Sequence, residues 1–360
     1  MRDIWYLVLP LIISALITPV VKQIGYRLDA FAQMNERTVH HGKIVRIGGV
    51  AIYLAFIITM ALYVKTDMAM NGILIGSTIM FIGGLGDDLV NLKPLYKFSF
   101  QVVAAIVLIA SGVTLDVIRL PLGITINMGV VSFIVTFFWI TGITNAVNLI
   151  DGLDGLCGGI SVIILTVIAM LAVIEGRGDV EMIALILVGA TLGFLIYNAH
   201  PASIFMGDCG ALFLGFIISA ISLLGFKSST IMTLALPLLL LALPIIDTLS
   251  AILRRTLKGH KFSEADKSHI HHLLMNKFGH KNTVIIMCIV TALFGLTAYV
   301  YMINKGIGLI SLFVIMLAVD LFIEGSGMIS DKYHPILSVS RRIIRRLTRK
   351  KTITDSDRTD

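Results

Sequence analysis

The sequence predicts an all-α, polytopic membrane protein with about eleven transmembrane helices. Hydrophobic residues make up 57% of its 360 residues and charged residues only 14%, against roughly a quarter charged in an average soluble domain. The apolar residues are also gathered into runs of near-bilayer length, about 17 to 25 residues, parted by short polar stretches. In hydrocarbon every backbone N–H and C=O must be satisfied within the segment or a closed barrel, so such runs are read as helices.

In chain order the runs lie near 4–21, 47–64, 72–86, 98–113, 130–147, 156–174, 182–198, 209–226, 230–252, 283–302 and 306–323. The first is a span rather than a cleaved leader, because its positive charge follows the apolar run and no small-residue cleavage site ends it. The runs at 72–86 and 98–113 are short, and their polar flanks would add a turn. Cys157, Cys209 and Cys288 all sit in or beside apolar runs, as packing residues and not as a disulfide framework. Residues 1–330 read as a single integral membrane domain and 331–360 as a basic cytoplasmic tail.

An odd number of spans puts the two ends on opposite sides, and basic residues choose the side. With the N-terminus outside and the C-terminus cytoplasmic, only Arg2, Lys65, Arg119, Arg177, Lys227 and Lys305 of the 29 Lys and Arg fall outside. The longest outer loop, 114–129, alternates apolar residues about Pro121-Leu122-Gly123, which predicts a small outer-face β-hairpin. The tail carries Arg341-Arg342 and Arg345-Arg346 around Ile343, Ile344 and Leu347. This spacing predicts a short amphipathic helix on anionic lipid headgroups, in preference to nucleic-acid binding.

This topology gathers every polar cluster at the cytoplasmic ends of spans. Asn145, Asn148 and Asp151, spaced by three, project from one helical face before Gly152 and Gly155 release the chain. Asp87-Asp88 ends one span, Asp208 opens another after Phe205-Met206-Gly207, and Asp154 follows Asp151. Ionisable residues at such positions are costly and mark function. Oxygen ligands of the Asp and Asn type suit Mg²⁺, with Mn²⁺ as a substitute, held by one or two protein ligands plus substrate phosphates. His269, His271 and His272 lie in a basic loop without cysteine or an i, i+4 histidine pair, which favours an anion over zinc. Lys97 and Gln101 form an i, i+4 pair at the start of the fourth span, aiming a cation at the same place. The chemistry suggested is phosphoryl transfer, stabilised by positioning and charge compensation. The chain lacks Gly-Lys-Ser/Thr, which argues against an ATP-driven pump.

Gly86-Asp87-Asp88, the Asn-x-x-Asn-x-x-Asp-Gly-x-Asp-Gly series from Asn145, Phe-Met-Gly-Asp at 205–208 and Asp-Lys-Ser-His-Ile-His-His at 266–272 resemble the polyprenyl-phosphate N-acetylhexosamine-1-phosphate transferases, glycosyltransferase family 4. The His-Ile-His-His form is similar to the branch that uses UDP-N-acetylglucosamine; the phospho-N-acetylmuramoyl-pentapeptide transferases typically carry three consecutive histidines. The resemblance implies Mg²⁺-dependent transfer of N-acetylglucosamine 1-phosphate from UDP-N-acetylglucosamine to undecaprenyl phosphate with release of UMP. This would be the first membrane step of an envelope polysaccharide or teichoic acid pathway in a bacterial plasma membrane.

It further implies that Asn148 and Asp208 hold the metal and that Lys97 and His269, His271 and His272 meet the diphosphate. Asn145, Asp151 and Asp154 would bind substrate, the two acids near the nucleotide, and Asp87 and Asp88 would serve the lipid phosphate, with Asp208 also catalytic. Pro237 and Pro244 predict a kinked ninth helix, a bend that would open a groove for the polyprenyl tail. The lipid bilayer is the other expected partner, and a homodimer is left open. The rival class is an ion-coupled secondary transporter, but the chain shows no clear internal repeat and no midplane acid of the kind such proteins use.

Overall fold

In the computed structural model the described residues are 2–32, 43–63, 67–119, 125–225 and 270–325. The chain begins with α1 (Arg2–Arg27), α2 (Gly49–Tyr63), α3 (Met68–Val90) and α4 (Pro94–Ala110), then two short strands, β1 (Val117–Arg119) and β2 (Thr125–Asn127). It continues through α5 (Val131–Ile150), α6 (Leu156–Ile174), α7 (Gly178–Asn198) and α8 (Gly207–Gly225), and after the undescribed stretch through α9 (Ile270–Phe278), α10 (His280–Ile303) and α11 (Lys305–Gly325). Among the described residues seven helices are long and apolar enough to cross a bilayer, and α2, α4 and part of α11 are shorter apolar helices. The predicted ninth span, with Pro237 and Pro244, and the tail from 331 lie outside the described residues.

The order of packing follows from apolarity. α8 is buried from Cys209 to Gly225 and forms the centre, with α2, α3 and α5 against it. α1 and α6 pack on α7, α10 on α6, and α11 on α10. Large apolar side chains such as Ile12, Leu16 and Val20 of α1 and Ile310 and Phe313 of α11 face outward, the arrangement a helix presents to hydrocarbon.

Helix ends explain where the short apolar runs grew. Asp67 caps α3, accepting a hydrogen bond from Met70 N at 2.7 Å, and the helix runs on through Asp87-Asp88 to Asn91. That residue takes the left-handed conformation, φ 57°, and its N–H bonds the Asp87 carbonyl. Pro94 then opens α4 at its first helical position, where a missing N–H costs nothing. The result is a tight α3–α4 hairpin that brings Lys97 beside Asp87. β1 and β2 pair antiparallel, Val117 opposite Asn127 and Arg119 opposite Thr125.

Extended backbone before α2 fixes the entry to α8. Phe205 N bonds Val45 O, while Gly48 N and Gly49 N bond the carbonyls of Phe205 and Met206. Gly207 sits at φ +74°, a conformation open to glycine at no steric cost, and turns this strand-like segment into α8. Gly84 of α3 lies against that turn: a Cβ there would stand 2.5 Å from the Asp208 carbonyl oxygen. The glycine is what lets α3 approach the first turn of α8.

Candidate active site

Four helix ends meet at one point: the C-termini of α3 and α5 and the N-termini of α4 and α8. Lys97 Nζ lies 2.6 Å from Asp87 Oδ2 and donates to Asp208 Oδ2 at 2.8 Å. Two neighbouring carboxylates repel each other, and the shared ammonium offsets this. Asp87 Oδ1 also accepts from Leu92 N at 2.8 Å, which anchors its side chain to the α3–α4 turn.

Asp88 points the other way. Its side chain is 1% exposed and accepts from the N–H groups of Asp208 at 3.1 Å and Cys209 at 2.9 Å. It therefore caps the N-terminus of α8, where orphan donors and the helix dipole favour a carboxylate. Arg46 closes the other half of the junction, donating through Nε to the Asp88 carbonyl at 3.0 Å and through Nη2 to the Asp87 carbonyl at 2.7 Å. It satisfies the last carbonyls of α3 and lies 3.5 Å from the Asp88 carboxylate.

Asp151 follows α5 and accepts from the Gly207 N–H. Loss of water around its carboxyl, then the charges of Asp208 and Asp88, push it up to about 8. Four carboxyls thus share a small volume with two cationic side chains, Lys97 and Arg46. The donors are oxygens, and the deficit is of positive charge; a hard divalent cation suits both features.

A second cluster lies a few residues further on. Asp154 Oδ2 stands 2.9 Å from His200 Nδ1 and accepts from Ala202 N at 3.1 Å, with His280 Nε2 at 3.9 Å. Among the described residues these three are the one His/Cys/Asp/Glu group whose ligand atoms all fall within 4.8 Å of one another, a spacing that can hold a metal ion.

Residues 70–226 match the model of glycosyl transferase family 4. Over 345 residues the chain is 37% identical to a protein of Bacillus subtilis (strain 168) named a probable undecaprenyl-phosphate N-acetylglucosaminyl 1-phosphate transferase, with 94% of this chain and 96% of that one covered. The chain belongs to glycosyl transferase family 4. This family 4 enzyme is also 32% identical to the decaprenyl-phosphate N-acetylglucosaminephosphotransferase of Mycobacterium tuberculosis (strain ATCC 25618 / H37Rv), over 77% of the chain and 76% of that protein. It is 32% identical to a phospho-N-acetylmuramoyl-pentapeptide-transferase of Streptococcus uberis (strain ATCC BAA-854 / 0140J), over 43% of the chain and 49% of that protein. It is a glycosyl-1-phosphate transferase and a multi-pass protein of the bacterial plasma membrane.

In this family 4 transferase the structure brings Asp87, Lys97, Asp151 and Asp208 together, with Asp88 behind Asp208. Asn148, half-buried, lies three residues before Asp151 near the end of α5. Asn145 is engaged elsewhere: its amide and that of Gln101 exchange hydrogen bonds of 2.8 and 3.1 Å, and its Nδ2 also donates to Thr141 O. Gln101 thus bridges α4 to α5, while Lys97, a turn earlier, reaches the acids. Asp154 joins the histidine pair. His269 lies outside the described residues, and of His271 and His272 the structure describes the backbone alone, in the first turn of α9.

Sequence reasoning assigned no site role to Arg46 or His280. The one hint of Arg46 was its place two residues before Gly48-Gly49. His280 carried no signal, because its partners at 154 and 200 are far away in sequence.

Proposed function

We propose that the protein transfers N-acetylglucosamine 1-phosphate from UDP-N-acetylglucosamine to undecaprenyl phosphate in a Mg²⁺-dependent reaction at the cytoplasmic face. A phosphate oxygen of the lipid attacks the sugar-bearing phosphorus of the donor, the bond from that phosphorus to the bridging oxygen breaks, and UMP leaves. The observation that most supports this is the convergence of Asp87, Asp151 and Asp208 around Lys97 at one membrane-facing end of the bundle. The B. subtilis relative, matched over nearly the whole chain, supports the choice of sugar and lipid.

In this proposal Asn148 and Asp208 hold the cation, with Asp87 and Asp151 near it. The cation, when bound, supplies positive charge to the diphosphate. Lys97 and the 269–272 histidines neutralise further phosphate oxygens, and Asp154 lies toward the nucleotide. Asp87 orients the lipid phosphate; it has little deprotonation to do, since a phosphate monoester with a second pKa near 6 is mostly dianionic at pH 7. Asp88 acts through Asp208 by holding the first turn of α8. The N-terminus is outside and the β1–β2 hairpin lies on the outer surface, with residues 331–360 a cytoplasmic tail. The product would prime an envelope polysaccharide or a teichoic acid.

The test is UMP release by purified protein given both substrates, with Mg²⁺ or with EDTA. EDTA and Asp208→Ala should each lower turnover by about a hundredfold to a thousandfold, the scale of losing one electrostatic stabiliser. Unchanged turnover in Asp208→Ala would remove the cation assignment. Activity with UDP-N-acetylmuramoyl-pentapeptide in place of UDP-N-acetylglucosamine would favour the other branch.

A further inference from the structure

The second cluster, Asp154, His200 and His280, joins three connections that are distant in sequence: the α5–α6 loop, the α7–α8 loop and the α9–α10 elbow. The first two are tied directly, since Asn198 accepts from Gly155 N at 3.1 Å and donates to the Ile204 carbonyl at 2.9 Å. His280, the first residue of α10, brings in the third. Its side chain is 8% exposed, its ring stacks on His200 with centroids 4.3 Å apart and planes 20° from parallel, and its Nε2 approaches the buried Asp154 carboxylate.

A metal ion is a poor occupant of this cluster. An imidazole binds an ion through a lone pair in its ring plane, and two rings stacked nearly parallel direct those lone pairs along separate planes. Stacking, and the 2.9 Å contact of His200 Nδ1 with Asp154 Oδ2, instead make the three residues a clamp. The clamp sits beside Gly279, whose φ of +77° sets the angle between α9 and α10. His272 lies eight residues before His280, about 12 Å along a helix rising 1.5 Å per residue. A rotation of about 10° at the elbow would therefore move the first turn of α9 by about 2 Å.

We propose that His280 is a positioning residue: clamped by His200 and Asp154, it sets the angle at which α9 carries His271 and His272 to the donor diphosphate. The proposal rests on the phosphate role given to those histidines above. Misplacing a binding group by about 1 Å can cost about a hundredfold in rate, so the clamp has leverage.

The test compares His280→Ala, which removes the ring, with His280→Phe, which keeps the stack. Steady-state UMP release is measured against each substrate, and folding by thermal melting in detergent. His280→Ala should lower kcat/KM for UDP-N-acetylglucosamine between about 10-fold and 100-fold and leave KM for undecaprenyl phosphate unchanged, and His280→Phe should recover most of the loss. Equal kinetics in His280→Ala and wild type would overturn the proposal. So would an equal rise in KM for both substrates, or a deficit in His280→Phe as deep as in His280→Ala with both variants melting like wild type. A tetrahedral Co²⁺ absorption band in wild type that disappears in His280→Ala would also overturn it, by making the cluster a metal site. Absence of UMP release by wild type itself would instead count against the proposed function and is thereby distinguishable.

Discussion

Asp87 and Asp88 are neighbours in sequence with identical chemistry and opposite surroundings. On a helix, adjacent residues diverge by about 100°, so one carboxylate meets Lys97 and Asp208 while the other turns to the backbone of α8. Substitution should separate the roles. Asp88→Ala removes a helix cap, about 0.5–2 kcal/mol, and the ion pair with Arg46, so it should lower the melting temperature together with activity. Asp87→Asn keeps a side-chain oxygen for Leu92 N and should melt close to wild type while UMP release falls sharply. Equal melting shifts for the two variants would contradict the division.

Asp151 adds a pH dependence of determined sign. Its carboxyl titrates near 3.8 when unperturbed and about 8 in the folded protein, so the folded state holds the proton over that interval. Without a divalent cation, stability should therefore fall as pH rises from about 4 to about 8, by up to about 1.4 kcal/mol per pH unit for one group. A cation competes with the proton, so its apparent affinity should rise over the same interval. Melting curves with EDTA and with Mg²⁺ across this range check both statements; a cation affinity independent of pH would refute the linkage.

At the scale of elements, the contact between α3 and α8 positions Asp208. Its first turn is held by the Asp88 cap, by the pairing of 45–49 with 205–206, and by the missing side chain at Gly84. Gly84→Ala would force backbone apart where a Cβ meets the Asp208 carbonyl. Overpacking of this kind costs about 1–3 kcal/mol. Activity should fall further than that loss of stability explains, since the displaced atoms belong to the site. Full activity in a folded Gly84→Ala protein would show that the close approach is dispensable.

For the whole molecule, the acids cluster at one end of the bundle while Arg177, which pairs with Asp179 at 2.7 Å, lies at the start of α7, at the opposite ends of the spans. The proposed orientation places the acids with the nucleotide sugar in the cytoplasm. A C-terminal fusion to a reporter that fluoresces only in the cytoplasm should be bright, and one to a reporter active only outside should be silent; the reverse pattern would invert the topology.

The membrane class, ten of the apolar segments and the acids and lysine of the site were legible in the chain. Burial in hydrocarbon requires long apolar runs, and polar residues at their ends stand out against that background. Helix bounds were less legible: α3 exceeds its apolar run at both ends because Asp67 and Asn91 cap it, and caps are polar. What only the tertiary structure decided is which of these groups face one another. Asp88 caps a helix through Asp208, 120 residues later, Asn145 pairs with Gln101 and not with the acids, and His280 joins two distant loops. Periodicity fixes the face a residue occupies on its own helix. The partner across that face depends on which helix ends are packed together, and that is set by the close fit of whole helices around α8.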